Sequence, residues 1–354
     1  MKIMYLAFAN SVHTLKWINY FKNKYEIMLV SFYESPPIDN VKMKYIPVAN
    51  KNMVVFKVSK VKRLIDEFKP DILHAHYASS CGITAALTGF HPYILSVWGD
   101  DIFVFPYKSP LHRYAAKYAI KSASYVSATS RMLADGTRRI INDDKDIQVI
   151  PFGVDLADYH YYERQERDFV HIGTIRGKEG LAPKYGVEYL VRAAAELMKS
   201  GIKTKLTIVG DGPLRPELEI LSQNLGMGDN INFAGYISMD QVPVYLNDFD
   251  IFVMPSVGRG ETFGVAAVEA MATGLPVVGS RVGGLPEVID DQKTGLLVEP
   301  ANVAALAEAL KTYARSADLR HTHGLAGRKK VENQYDWQQN AGLMNSLYQK
   351  AIGR

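Results

Sequence analysis

The chain carries one cysteine, Cys81, in 354 residues, so it cannot close an internal disulfide and suits a reducing compartment. No apolar run approaches the ~20 residues that cross a bilayer. The N-terminal apolar stretch IMYLAFA stops at Asn10, which is too short for a secretory h-region and better read as a first strand. Together these absences point to a cytoplasmic protein, free or held at the inner face of a membrane. No GxGxxG follows the first strand, which disfavours a dehydrogenase. His74 and His76 would share one face of an extended segment, yet no cysteine or carboxylate completes a zinc set, and no metal is expected. No nucleic-acid-binding motif accompanies the basic residues, so nucleic acid is not an expected partner. Internal repeats and low-complexity segments are also missing.

What is present describes a globular enzyme-sized chain. Hydrophobic residues make up 47% and charged residues 22%, and the length suits two domains, each with its own core. Short apolar strands alternate with helical stretches from the start. Ile3 to Ala9, Glu26 to Phe32, Lys44 to Pro47 and Asp71 to Ala75 read as strands, and Val54 to Phe68 is periodic as a helix. Ser124 to Ser130 and Ile147 to Ile150 close the first series. A polar, tyrosine-rich stretch, Tyr159 to Arg167, then has the character of an interdomain linker. The second series begins at Phe169 to Ile172 and runs through Lys205 to Val209, Ile231 to Phe233, Asp250 to Pro255, Pro276 to Ser280 and Gly295 to Val298. Such alternation predicts an α/β protein with two doubly wound parallel sheets, over 1–160 and 161–336. Residues 337–354 predict a final amphipathic helix with Trp337, Leu343, Leu347 and Tyr348 on or near one face.

Charge is uneven between these halves. Residues 1–160 hold 20 Lys and Arg against 14 Asp and Glu, while residues 161–354 hold 21 against 23, so the positive excess is confined to the first. Much of it lies in Lys57 to Lys69 and Lys108 to Lys121. Either these are solvated helix faces, or they meet an acidic partner such as anionic lipid or a phosphate-bearing acceptor.

The stretch Gly258 to Val278, GRGETFGVAAVEAMATGLPVV, carries the densest chemistry. A buried strand (IFVMP, Ile251 to Pro255) leads through a glycine-rich loop into a short helix, for which Thr262 is the expected N-cap and Gly274 with Pro276 the stop. Backbone N–H groups of Phe263, Gly264 and Val265 would lie at the helix N-terminus, where the dipole favours a diphosphate. Glu261 stands just before that helix and Glu269 about two turns into it, placed to accept hydrogen bonds from sugar hydroxyls. The turn Gly210-Asp211-Gly212-Pro213 follows a strand and would let backbone approach a ligand. In the first half, His13, His74, His76, Trp98, Asp100 and Asp101 fall at or just beyond strand ends, where doubly wound sheets bind ligands. Asp248-Phe249-Asp250 leads directly into a buried strand and reads as structural rather than as a metal-binding DxD.

The second-half order of strand, basic loop, helix, GDGP, FAGY, DIFVMPS, GETFGVAAVEAMATGLPVV and GGLPEVI resembles the donor domain of retaining GT-B glycosyltransferases with a Glu-x7-Glu motif, the group 1, family 4 type. That resemblance covers nearly the whole chain. It implies two Rossmann-like domains facing a cleft, the last helix crossing back to the first domain, and transfer of a hexosyl-type sugar from a UDP-, GDP- or ADP-sugar to a hydroxyl acceptor, a lipid-linked or surface glycan. It implies no cofactor beyond the donor. Arg176 and Lys184 would grip the donor diphosphate, Glu261 orient the sugar, Glu269 hold the ribose, and Tyr236 and Ile237 lie against the base. As loop charges, Arg176 and Lys184 would contribute little to folding. The chain departs from the pattern in three places. Asn10, Ser11 and Val12 replace a glycine-rich loop before His13; Trp98-Gly99-Asp100 stands where a histidine is common, so that Asp100 or Asp101 would substitute for it as a catalytic group or Trp98 would stack on a ring; and the basic loop is long enough for Lys178 to compete with Lys184. A nucleotide-sugar epimerase of the same architecture, or a non-catalytic nucleotide-sugar-binding protein, is the alternative.

Overall fold

The computed structural model describes every residue except 162, 165, 166, 259 and 354, and the side chains of all of these but 51 and 52. Two compact units result, Met1–Phe152 with Gln339–Arg354, and Gly153–Gln338. In the first, strands β1 (Lys2–Leu6), β2 (Glu26–Ser31), β3 (Val41–Tyr45), β4 (Ile72–His76), β5 (Tyr93–Val97), β6 (Tyr125–Ala128) and β7 (Ile147–Val149) form a parallel sheet in the order 3-2-1-4-5-6-7. In the second, β8 (Val170–Ile175), β9 (Thr204–Val209), β10 (Ile231–Gly235), β11 (Ile251–Met254), β12 (Val277–Ser280) and β13 (Gly295–Val298) run 10-9-8-11-12-13, also parallel. Every residue of β4, β5, β8, β11 and β12 is buried, as expected of strands covered by helices on both faces. The order reverses between β1 and β4, and again between β8 and β11. At such a point the connecting helices leave to opposite faces and open a crevice at the carboxyl ends of the strands.

The centre of the first sheet is polar in an organised way. Tyr5 hydroxyl pairs with Tyr348 hydroxyl at 2.8 Å, Tyr348 with His74 Nδ1 at 2.7 Å, His74 Nε2 with Ser96 at 2.8 Å, and Ser96 with Ser127 at 2.7 Å. This chain of bonds crosses β1, β4, β5 and β6 and satisfies buried groups that would otherwise each cost about 1–3 kcal/mol. It also fastens the C-terminal helix, Trp337–Ala351, to the first sheet through Tyr348. Burial drives His74 down to about 3, so its ring is neutral in the fold.

Several sequence expectations need correction. The helix expected from Val54 begins as a 3-10 turn over Lys51–Lys57 and becomes α-helical only at Val58–Phe68. Leu343 is exposed, and the C-terminal helix instead buries Trp337, Ala341, Met344, Leu347 and Tyr348. The stretch expected as a linker is anchored on the second unit. Arg164 Nε donates to Phe249 O at 2.7 Å, and its terminal nitrogens reach the carbonyls of Thr273, Gly274 and Leu246. Tyr161 packs where a Cβ on Gly274 would sit. Tyr162, Gln165 and Glu166 of that stretch lie outside the described residues. The chain instead passes between units at Phe152 and Gly153 and returns at Gln338 and Gln339. These passages are tied together beside the crossings, where Val154 N donates to Tyr335 O at 2.9 Å and Trp337 N to Val154 O at 3.0 Å.

Candidate functional site

In the second unit, β8 ends at Ile175 and delivers Arg176 to the switch point, while β11 ends at Met254 and delivers Ser256 beside it. Arg176 Nη1 donates to Glu261 Oε2 at 3.2 Å and Nη2 to Ser256 Oγ at 3.2 Å, and Ser256 Oγ donates to the same carboxylate oxygen at 3.2 Å. The Arg176 side chain is only 4% exposed and that of Glu261 13%, so the pair is a buried ion pair rather than two loop charges. Burial lowers the Arg176 pKa, and Glu261 opposes that effect. Arg176 Nε is buried without a hydrogen-bond partner, while Nη1 and Nη2 are both paired. Its face lies 5.0 Å from the centre of the Tyr185 ring, and the Lys184 ammonium lies 5.0 Å from the same ring. One aromatic ring thus gathers the two cations expected from sequence. Lys184 is exposed, and its carbonyl accepts from Val257 N and Gly258 N, pinning the basic loop to the glycine loop. Lys178 stands exposed on the far arm of the basic loop. Arg259 lies outside the described residues.

Glu261 is held from below by the glycine pair. Gly284 N donates to Glu261 O at 2.8 Å, and a Cβ on Gly283, at φ +57°, would fall 1.8 Å from that oxygen. The helix after it spans Val265–Ala272 and is capped by Gly264 at φ +93°. Thr262 is therefore not the N-cap: only glycine adopts that left-handed conformation cheaply, and a Cβ there would also strike Leu285 at 2.7 Å. The helix's free N–H groups start at Val265, and the Phe263 ring is buried against Tyr335. Glu269 is buried in the middle of the helix and holds a hydrogen bond from Tyr159, whose pKa is raised by burial and by that carboxylate. Gly210 and Gly212 sit at φ +123° and +153°, but what approaches them is protein. A Cβ on Gly210 would lie 2.6 Å from Arg176 O, and one on Gly212 2.7 Å from Leu181 N, so these glycines seat the basic loop. Gly210 N donates to Gly235 O at 2.7 Å, which brings exposed Tyr236 and half-buried Ile237 to the same end of the sheet. Asp248 and Asp250 are occupied structurally, by Arg167 and by the His171 backbone N–H.

In the first unit an aromatic cluster occupies the ends of β1, β4 and β5. His13 stacks on Phe152 with centroids 4.1 Å apart and lies 5.9 Å from Trp98, which lies 4.3 Å from His76 and 5.0 Å from Tyr77. Burial lowers His13 to about 4 and His76 well below its ordinary value, so both rings are neutral near pH 7. His76 Nδ1 meets Thr14 Oγ1 at 3.0 Å, and its Nε2 is buried without a partner. Asp101 is buried, and its carboxylate accepts from the N–H groups of Ala78, Trp98 and Gly99 at 2.7 to 3.1 Å. That carboxylate staples two strand-end loops and does not face solvent. Asp100, its neighbour, is exposed.

Ser256, Tyr185, Tyr159 and Phe152 were not singled out from sequence. Ser256, Tyr159 and Phe152 are ordinary residues with a partner far along the chain, Arg176 and Ser256 being separated by 80 positions, whereas Tyr185 is marked only by the two cations its ring gathers.

Residues 2–130 match the family Glycosyl transferase 4-like, and residues 179–330 match Glycosyl transferases group 1. N-acetyl-alpha-D-glucosaminyl L-malate synthase of Bacillus anthracis is 28% identical over 82% of this chain and 77% of its own length. A GDP-mannose-dependent alpha-(1-6)-phosphatidylinositol monomannoside mannosyltransferase of Mycobacterium tuberculosis is 33% identical over 44% of this chain and 42% of its own. Among solved structures, Anabaena Alr3699/HepE in complex with UDP superposes with a TM-score of 0.84 at 19% identity, over 99% of this chain and 100% of that one. With two parallel-sheet Rossmann-like units and matches in both halves, this chain is a glycosyltransferase of the GT-B fold, its residues 179–330 forming a group 1 domain.

Proposed function

We propose that the protein is a retaining glycosyltransferase that moves a hexosyl-type sugar from a UDP-, GDP- or ADP-sugar to the hydroxyl of a lipid-linked or surface glycan, without a metal ion. The observation that carries this reading is the buried Arg176–Glu261–Ser256 cluster at the switch point of the second sheet, with Lys184 on the same tyrosine ring. A nucleoside diphosphate leaves only if its developing charge is stabilised. Arg176, Lys184 and the N–H groups at the start of Val265–Ala272 supply that stabilisation without a metal. Glu261 orients the sugar and Glu269 holds the ribose hydroxyls, while exposed Tyr236 offers a face to the base. In the transfer step the sugar C1–O bond to the diphosphate breaks and a C1–O bond to the acceptor forms on the same face. The acceptor's proton passes to a departing diphosphate oxygen, so no protein nucleophile is required. The solved relative is named as a UDP complex and the mycobacterial relative as acting on a phosphatidylinositol-borne mannoside, which supports a nucleotide-sugar donor and a lipid-borne acceptor here.

A panel of UDP-, GDP- and ADP-sugars, read by protection against thermal unfolding, identifies the donor. Product NMR with that donor then tests the stereochemistry. Retained anomeric configuration and turnover in excess EDTA are expected; an inverted product, or loss of turnover restored by magnesium or manganese, overturns the retaining or the metal-free reading respectively.

A further inference from the structure

The helix Pro110–Ser122 has two apolar stripes where a globular surface helix has one. Its inner stripe, Ala116, Ala119 and Ile120, is buried in the core of the first unit. On the outer side Leu111, Tyr114 and Tyr118 follow one another at spacings of three and four and share the solvent face, and Tyr107, which ends the 3-10 turn Phe105–Tyr107 just ahead of the helix, joins the ridge they form, with its ring 6.0 Å from the Arg113 guanidinium. Tyr107 is 63% exposed, Leu111 73% and Tyr114 69%. The ridge is flanked by Lys108, Arg113, Lys117 and Lys121, and no Asp or Glu occurs between Asp101 and Asp135. Beside it, the helix Ser80–Thr88 packs against both Pro110–Ser122 and the 3-10 turn Lys51–Lys57, which presents Phe56 at 77% exposure next to Lys57 and Lys60.

We propose that this face docks the protein on an anionic lipid bilayer, with the Tyr107–Tyr118 ridge inserted at the headgroup level and the flanking cations on lipid phosphates. Tyrosine combines an apolar ring with a polar tip, which suits the boundary between headgroups and acyl chains, and cations beside it meet the negative surface potential. The helix has 13 residues, about 20 Å of rise, too little to cross a ~30 Å hydrocarbon core, so it lies in the interface plane. A second copy of the chain fits the face poorly. A two-fold contact would set one copy's cations against the other's, with only Lys121 compensated, by Asp143 at 3.2 Å. The ridge begins at Tyr107, a few residues beyond exposed Asp100 and the Trp98 cluster at the strand ends. Resting on the function proposed above, docking here would keep a lipid-linked acceptor close to that end of the sheet.

Flotation of the full chain with vesicles tests the docking without any transfer assay. With equimolar phosphatidylcholine and phosphatidylglycerol the protein should float; with phosphatidylcholine alone it should not, and at about 1 M salt, where the screening length is ~3 Å, binding should fall away. Leu111→Ser with Tyr114→Ser should reduce partitioning at least about ten-fold, and Arg113→Gln or Lys117→Gln about five-fold each. Lys293→Gln, an exposed cation of the other unit, should change nothing. Leu111, Arg113 and Tyr114 are exposed and Lys117 is half-buried, so unfolding midpoints should stay close to that of the parent protein, and protection by UDP, GDP or ADP on the same preparations reads the donor site separately. Equal flotation on neutral vesicles, no flotation on either, undiminished binding of the ridge variants, or a dimer abolished by those variants would each overturn the proposal.

Discussion

Replacing Arg176 by methionine removes the cation from a buried pair and so separates what Arg176 does for folding from what it does for transfer. Glu261 would be left 13% exposed, with its carboxylate still receiving Ser256 Oγ at 3.2 Å but no guanidinium. Breaking a buried pair by deleting one partner costs about 3–5 kcal/mol. The surviving Ser256 bond places this case near the lower end, about 3 kcal/mol. For a unit of this size that corresponds to a fall in unfolding midpoint of roughly 6–12 °C. Adding Glu261→Leu removes the stranded charge, and an apolar pair of similar volume should return stability to within about 1 kcal/mol of the parent. Transfer behaves differently: loss of a charge-assisted bond to the diphosphate should lower kcat/KM by about 10- to 150-fold in Arg176→Met, with no recovery in the double variant. Lys184→Ala, at an exposed position, should lose activity on the same scale with its midpoint unchanged. Differential scanning calorimetry and steady-state kinetics on the four proteins decide the matter. A double variant as unstable as Arg176→Met would refute the ion-pair account, and full activity in Arg176→Met would refute the donor role.

Three further outcomes follow from the geometry. Lys178→Ala should leave kcat/KM near that of the parent while Lys184→Ala loses it, because Lys184 shares the Tyr185 ring with Arg176; the reverse pattern would reassign the diphosphate ligand. Gly283→Ala should depress kcat/KM by more than about ten-fold and cost about 1–3 kcal/mol, since its Cβ would displace the Glu261 carbonyl from φ +57° backbone; unchanged kinetics would show that this contact does not place Glu261. His13 titrates at about 4 in the fold against about 6.5 in the unfolded chain. Between those values only the unfolded chain takes up the proton, so its contribution is complete above about pH 6.5 and falls by about 3 kcal/mol as pH drops to about 4. Denaturant titrations at pH 7 and 4.5 should give a shallower pH dependence for His13→Gln; an identical dependence would sink this assignment.

Strand positions were legible because β4, β8 and β11 are short apolar runs that periodicity identifies without reference to any partner. The placement of Glu261 before a short helix and of Glu269 within it was legible because that spacing is local. What failed were three inferences about where a charge goes. Arg176 reads as exposed in a polar loop, and only the return of the chain 85 residues later at Glu261 buries it. Arg164 reads as linker polarity, yet its nitrogens are spent on backbone carbonyls that end other elements. Asp101 reads as an acceptor-side candidate at a strand end, and it is the acceptor for three backbone N–H groups. Glycine misled in the opposite direction: the GDGP turn suggested close approach of a ligand, whereas the basic loop itself occupies that space.

The burial of Arg176 also changes how the two cations divide the donor's charge. A guanidinium already paired with Glu261 contributes little net field at a distance, since the opposite charges lie 3.2 Å apart. On the proposed function, the long-range attraction for an incoming diphosphate would therefore fall to the exposed Lys184 and to the helix N-terminus at Val265. Arg176 would act at short range, where its unpartnered Nε and rigid planar fork would fix the direction of an oxygen already delivered. Capture and orientation would then belong to different residues, and a lysine in place of Arg176 would restore the charge but not the geometry. The pairing with Glu261 has a second consequence. On the proposed function, any shift of the guanidinium toward phosphate would be felt by the carboxylate assigned to the sugar, so donor binding and sugar orientation would be coupled through one hydrogen bond.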